Sequence, residues 1–157
     1  MKDIKVSVLI ANYNNEQYLT ECIDSIKKQT YQNVEIIIHD DASSDNSIKR
    51  INKYKNIKII KNKKRGKYGS YNQMNAYNRA FKISNGEIIF LLDSDDLFSK
   101  NKIKNVINAF SKNKKITSLF DLPIYKYKEK LKFIKNKKKL VSNYWPYIPP
   151  QSCIAMK

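Results

Sequence analysis

Glycine is almost missing from this chain: Gly66, Gly69 and Gly86 are the three present. That scarcity excludes the glycine-rich phosphate cradles. A Walker A loop needs G-x-x-x-x-G-K-[ST] and a dinucleotide turn needs G-x-G-x-x-G, and Gly66 and Gly69 satisfy neither. Cysteine is equally scarce. Cys22 and Cys153 lie far apart, without metal-ligand spacing, in apolar stretches. They are expected as reduced, buried thiols. His39 is the single histidine, and a lone imidazole at a strand end reads as structural rather than catalytic. Apolar runs such as Ile88 to Leu92 are far too short to cross a bilayer. The opening MKDIKVSVLI has no cleavable small-residue site, so the expected location is cytoplasmic.

Carboxylates are few: 14 Asp and Glu against 31 Lys and Arg leave a net charge of +17. Such a balance attracts anions: nucleic acid, an acidic membrane or a phosphorylated substrate. Chain-wide composition explains most of it. Lys, Asn and Ile are abundant throughout, and lysine is preferred over arginine. The positive charge is dispersed, so a nucleic-acid partner is not expected. What is present is ordinary for a folded protein: 157 residues, 41% of them hydrophobic, enough for one domain and one core.

Residues 5–11 are rich in Val, Ile and Leu and read as a buried strand. The turn-forming NYNN follows. Leu19, Cys22, Ile23 and Ile26 then recur at helical spacing over 16–29. Val34 to His39 reads as a second buried strand, ending in Asp40 and Asp41. Ser43, Ser44 or Asp45 can cap a helix carrying Ile48 and Ile51. Ile57 to Ile60 is a short third strand, and a basic loop runs from Lys61 to Ser70. Residues 71–84 read as a helix with Met74, Tyr77, Ala80 and Phe81 inward, stopped by Asn85-Gly86. Glu87 to Leu92 is a fourth strand, followed at once by Asp93-Ser94-Asp95-Asp96. A helix with Ile103, Val106, Ile107 and Phe110 on one face comes next, then a strand over Ile116 to Phe120. Residues 126–139 fit an exposed hairpin or a basic loop. Strands alternating with helices imply an α/β domain: a mainly parallel central sheet flanked by helices on both faces.

Both acidic clusters directly follow buried strands. Ligands of open parallel sheets bind at the carboxyl ends of the strands, so the clusters should open onto one crevice. Carboxylates at Asp-x-Asp spacing suit a hard divalent ion, Mg²⁺ or Mn²⁺, which binds through one or two carboxylates plus substrate phosphates. Such an ion offsets the charge that builds on a departing diphosphate. The alternative for Asp93 to Asp96 is capping of the next helix, for which one Asp suffices. For Asp40-Asp41 the alternative is a strand-ending turn. Tyr13 can stack on a base or simply pack beside the sheet. The loop Lys61 to Ser70 can approach phosphates through Lys64, Arg65 and Gly66, or remain a solvated charged loop.

These residues occur in a familiar order. VSVLIANYNNEQYLTECIDSIKKQTYQNVEIIIHDDASSD resembles the opening of family 2 inverting glycosyltransferases. The later NAYNRAFKISNGEIIFLLDSDD resembles that family's A-R-N and F-L-D-x-D-D segment. The match runs through about residues 4–98, several motifs in sequence. The resemblance implies a GT-A fold with a Rossmann-like nucleotide-binding half. It implies one domain over 1–157: an α/β core at 1–121 binding a nucleotide sugar, and the start of an acceptor-side region at 122–157. By the same resemblance, Ala11 and Tyr13 line the base site, Asp41 binds the base and Asp40 supports it. Asp93 lies near the ribose and serves with Asp95 at the metal, Asp95 being the ligand of the D-x-D motif. Asp96 completes the cluster, and Asn78 stands where the family has the Asn of A-R-N.

The implied activity is transfer of a sugar from a nucleotide-diphosphate donor, UDP-linked, to the hydroxyl of a glycan or lipid-linked acceptor, with inversion. Ala11 replaces the usual Pro or Thr, and Ala76-Tyr77-Asn78 replaces A-R-N. Family members normally continue into an acceptor-binding region that carries the catalytic base, and PPQSCIAMK resembles the strand just before it. Asp121 and Glu129 are the acidic residues beyond Asp96, and neither is assigned as the base. A non-catalytic nucleotide-sugar-binding fragment is therefore the second reading. A peripheral place at the inner membrane face is compatible with the first, through the lysine run at 126–139.

Overall fold

The computed structural model describes residues 3–120, 124–127, 130–133 and 154–157. The elements run β1 (Val6–Asn12), α1 (Glu16–Lys27), β2 (Val34–Asp40), α2 (Ser47–Ile51), β3 (Ile57–Lys61), α3 (Gly69–Lys82) and β4 (Ile88–Asp93). They continue with α4 (Lys102–Lys112), β5 (Ser118–Phe120), β6 (Ile124–Tyr127), β7 (Lys130–Phe133) and β8 (Ile154–Met156). Six strands form one sheet in the order β3-β2-β1-β4-β8-β5. The pairs β1–β2, β1–β4 and β2–β3 are parallel, and β8 runs antiparallel between β4 and β5. The mainly parallel sheet stands as expected, with one reversed strand in it.

β1 lies at the centre because its side chains are apolar on both faces. Val6, Val8 and Ile10 join the core beneath α1, α2 and α4, with Leu19, Cys22, Ile23, Ile103, Val106, Ile107 and Phe110. Leu9 points the other way and meets Ile37, Ile89, Tyr77 and Ala80 under α3. Each fully buried aliphatic side chain of this kind contributes about 1.5–3 kcal/mol against the entropy of ordering the chain.

α3 corrects one expectation. Its inward stripe is Asn72, Ala76, Tyr77 and Ala80. Met74 and Phe81 are exposed, at 58% and 55%. Tyr77 and Ala80 fix the helix phase against the sheet, and that phase turns positions 74 and 81 to the far side. Gly86 is required where α3 returns to β4: an added Cβ would meet the Ser7 backbone nitrogen and the Val6 carbonyl carbon. The 126–139 region contributes a hairpin, with Ile124–Tyr127 pairing with Lys130–Phe133. Residues 134–139 and Cys153 lie outside the described residues.

Candidate functional site

Register brings the acidic clusters together. Ala11 of β1 pairs with His39 of β2 on one side and with Asp93 of β4 on the other. Asn12 pairs with Asp40, and the Asp41 backbone N–H still reaches the Asn12 carbonyl at 2.9 Å. Three parallel strands therefore end on one line. Above it opens a cleft of about 340 Å³. Its walls include Ala11, Tyr13, Asp41, Asp93 and Asp95, five of the expected site residues. Asn12, Asn15, Arg65, Gly69, Asn72, Gln73, Ala76 and Ser94 complete it.

Asp40 is a buried brace beneath the floor. Its carboxylate accepts from Asn12 Nδ2 at 2.7 Å, the Ser43 backbone N–H at 3.0 Å and Ser43 Oγ at 2.7 Å. These bonds hold a tight bend in which Ala42 has φ 61°, a left-handed conformation that disfavours a Cβ. Bending the chain there turns Asp41 into the cleft. Asp41 Oδ1 accepts from Asn62 Nδ2 at 2.6 Å, and Oδ2 accepts from Arg65 Nε at 3.2 Å. The Arg65 guanidinium also lies on the Tyr13 ring, 3.5 Å from its centroid. Arg79 donates to Asn62 Oδ1, which orients the Asn62 side-chain amide so that its Nδ2 faces Asp41. Arg65 thus sits at the Tyr13–Asp41 end of the cleft, while Lys64 and Gly66 line an adjoining hollow with Arg79.

At the other end, Asp93 Oδ1 accepts from Gln73 Nε2 at 2.6 Å and from Tyr77 Oη at 2.5 Å. Burial pushes the Asp93 carboxyl above its ordinary range, the Asp96 and Asp95 charges add to the rise, and the Tyr77 and Gln73 donors oppose it. Burial next to Asp93 likewise pushes the Tyr77 hydroxyl up, so it stays a donor. Asp95 is exposed at the cleft wall. The acidic turn is closed by the Asp96 N–H on the Asp93 carbonyl at 3.0 Å, and Asn15 Nδ2 donates to Ser94 Oγ at 2.7 Å. Capping does not explain this cluster, because α4 begins at Lys102 with Asn101 at its N-cap position.

His39 is fully buried beneath the floor, and neither ring nitrogen has a hydrogen-bond partner among the described residues. Burial lowers its pKa, and Arg79 lowers it further. Neutral and enclosed, it is a core residue. Asn78 is exposed on α3 and does not line the cleft. The side chains that α3 sends there are Asn72, Gln73 and Ala76. Sequence reasoning overlooked Asn62, Gln73 and Tyr77 as site residues. The signal available was the polar pair Asn72-Gln73, on the same helical face as Ala76.

The cleft thus lies at the carboxyl ends of parallel strands, with an aromatic and a carboxylate at one end and an acidic turn at the other. The family model for glycosyl transferase family 2 matches residues 7–152. The chain belongs to that family. Among curated relatives, the Escherichia coli enzyme UDP-Glc:alpha-D-GlcNAc-diphosphoundecaprenol beta-1,3-glucosyltransferase WfaP is 40% identical over 109 residues, 69% of this chain and 42% of its own length. The structure of a Staphylococcus aureus TarS fragment in complex with UDP superposes with a TM-score of 0.63 and 29% identity, covering 71% of this chain and 33% of that one. A mannosyltransferase from Pyrobaculum calidifontis matches with a TM-score of 0.64 over 73% of this chain and 34% of its own. At 20% identity, that likeness speaks to the fold alone. This family 2 chain spans less than half the length of the curated relatives it matches, 33% of an uncharacterized glycosyltransferase from Nostoc, for example. Among the described residues no helix is long and apolar enough to cross a membrane.

Proposed function

We propose that the cleft binds a nucleoside-diphosphate sugar, with the base at Tyr13 and Asp41 and the diphosphate toward Asp93 and Asp95. The observation that carries this reading is the pairing of the two ends. An aromatic face with a carboxylate suits a flat base carrying an N–H donor. An acidic turn repels phosphates unless a cation intervenes. Asp41 favours one kind of base. Its Oδ1 is engaged by Asn62, which leaves Oδ2 for a single N–H donor once Arg65 gives way. Uracil presents one imide N–H between two carbonyls, cytosine presents an amino group beside an unprotonated ring nitrogen that a carboxylate repels, and guanine presents a ring N–H and an amino group side by side. UDP is therefore the preferred carrier. The UDP in the TarS structure is consistent with this preference.

The donor set fits a divalent ion only when the diphosphate helps. Among the described residues no three His, Cys, Asp or Glu side chains converge to hold a metal, so an ion would need phosphate oxygens as further ligands, as Mg²⁺ typically does. Asp95 is the protein ligand in this reading. Asp93 plays a lesser part at the metal, because Tyr77 and Gln73 already engage its Oδ1. When bound, such an ion supplies charge neutralisation for the leaving diphosphate. The chain's own residues do the rest. Gln73 and Tyr77 hold Asp93 in place, and Asp40 fixes the bend that aims Asp41.

In the transfer itself, an acceptor hydroxyl oxygen bonds to sugar C1 on the face opposite the diphosphate. The C1–O bond to the diphosphate breaks, and the hydroxyl proton passes to a base. Inversion at C1 follows from that geometry. The acceptor in this reading is a glycan or a lipid-linked sugar at the inner membrane face, where the lysine run at 126–139 meets anionic headgroups. A second reading is binding without turnover, since no side chain among the described residues is assigned as the base. Equilibrium dialysis with UDP, CDP and GDP checks the common part of both: UDP should be retained most tightly. Equal retention of all three would sink the base assignment.

A further inference from the structure

We infer that Arg65 stands in for the donor's base: it fills the stacking face of Tyr13 and must swing away before a base enters. This rests on the reading of Tyr13 and Asp41 as the base site. The guanidinium carbon lies 3.5 Å from the Tyr13 ring centroid, the contact distance of stacked planar groups. No ring fits between them. The same guanidinium donates through Nε to Asp41 Oδ2 at 3.2 Å. A planar, conjugated group that stacks on the tyrosine and presents an N–H to the carboxylate makes the two contacts required of a uracil ring.

The backbone beneath this side chain is pinned. Asn72 Nδ2 donates to the Gly66 carbonyl at 2.9 Å, and a Cβ on Gly66 would collide with the Asn72 side chain. Asn62 is tied to the Asp40 carbonyl through its own N–H at 2.9 Å. The residue between these anchors keeps a side chain 38% exposed, while that of Asp41 is 7% exposed. Exchange therefore requires rotation of one long side chain rather than a loop opening. Until a base arrives, Arg65 keeps the buried Asp41 carboxylate paired and the tyrosine face covered. The observed affinity is then a difference between two similar contact sets, and Arg65 lowers it.

The test uses uridine, which carries the base without phosphates that Arg65 could attract. NMR titration of the chain and of Arg65→Ala compares the two affinities. Removing a cation–π contact of ordinary strength should tighten uridine by roughly 2- to 30-fold. In the unaltered chain, the Arg65 Nε–H resonance, identified by its loss in the variant, should move from a ring-shifted position to that of a solvated arginine as uridine is added. Uridine binding that is unchanged or weaker in Arg65→Ala, or an Nε–H resonance that stays in place, would overturn the exchange and leave the base site standing. Uridine binding in neither protein would overturn the base site, and the exchange with it.

Discussion

Tyr77→Phe isolates the bond that holds the acidic turn. Tyr77 is 4% exposed, and its hydroxyl donates to Asp93 Oδ1 at 2.5 Å. The substitution removes one oxygen atom, keeps the ring in the core under α3, and leaves Gln73 as the donor to that carboxylate oxygen. A hydrogen bond to an ionised partner is worth about 1.5–3 kcal/mol, and one between neutral groups about 0.5–1.5 kcal/mol. The loss should therefore depend on pH. Burial already raises the Asp93 carboxyl above its ordinary range, so ionising it in the folded state costs stability. That cost sets in as pH climbs from the unfolded to the folded pKa. It is complete above the folded value and absent below the unfolded one. Tyr77 reduces the cost by favouring the ionised form. In Tyr77→Phe the Asp93 carboxyl should move further up, and the destabilisation should be about 1.5–3 kcal/mol at pH 7.5. It should shrink to about 1 kcal/mol as the pH is lowered through the Asp93 titration. Urea unfolding at a series of pH values, with the Asp93 carboxyl followed by NMR, measures both. A penalty that is flat with pH, or an Asp93 titration identical in the two proteins, would refute the reasoning.

Three further outcomes follow from the contacts described. Gly86→Ala should cost at least about 1–3 kcal/mol in urea unfolding, because its Cβ meets β1 backbone that cannot retreat; a neutral result would mean the α3–β4 turn has another arrangement. Asp40→Ala should lower the thermal midpoint and destabilise by about 2 kcal/mol or more, since it strips acceptors from Asn12 and Ser43 at once. A midpoint as high as that of the unaltered chain would show that the bend holds without this brace. Cys22 should resist iodoacetamide in the folded chain, because it is fully buried and burial pushes its thiol well up. Mass mapping at Cys22 that shows rapid native-state labelling would contradict its place in the core.

Much of the core was legible because hydrophobic periodicity and strand order are local signals. Val6 to Ile10 and Val34 to His39 read as buried strands, and Ile103, Val106, Ile107 and Phe110 as one helical face. The convergence of Asp41 with Asp93 was legible too, since parallel strands of similar length must end together. What escaped depended on side-chain direction across the fold. The phase of α3 is decided by Tyr77 and Ala80 packing on the sheet, and nothing in its sequence ranks Tyr77 above Met74. Asn62 and Arg65 lie in a lysine-rich stretch whose composition suggests a phosphate-approaching or solvated loop, not a partner for Asp41. Their roles arise from Asp41, distant in sequence and brought close by β2–β3 pairing. The antiparallel β8 could be placed only by partners on β4 and β5.

Calorimetric titration of UDP, with and without Mn²⁺, into the chain and into Asp95→Ala tests the central claim most directly. Asp95 is exposed, so its removal should leave stability within about 0.5 kcal/mol and any change in binding is local. The account predicts UDP binding that strengthens with Mn²⁺ in the unaltered chain and loses that metal dependence in Asp95→Ala. UDP that fails to bind under every metal condition, or binds both proteins alike with Mn²⁺, would contradict it.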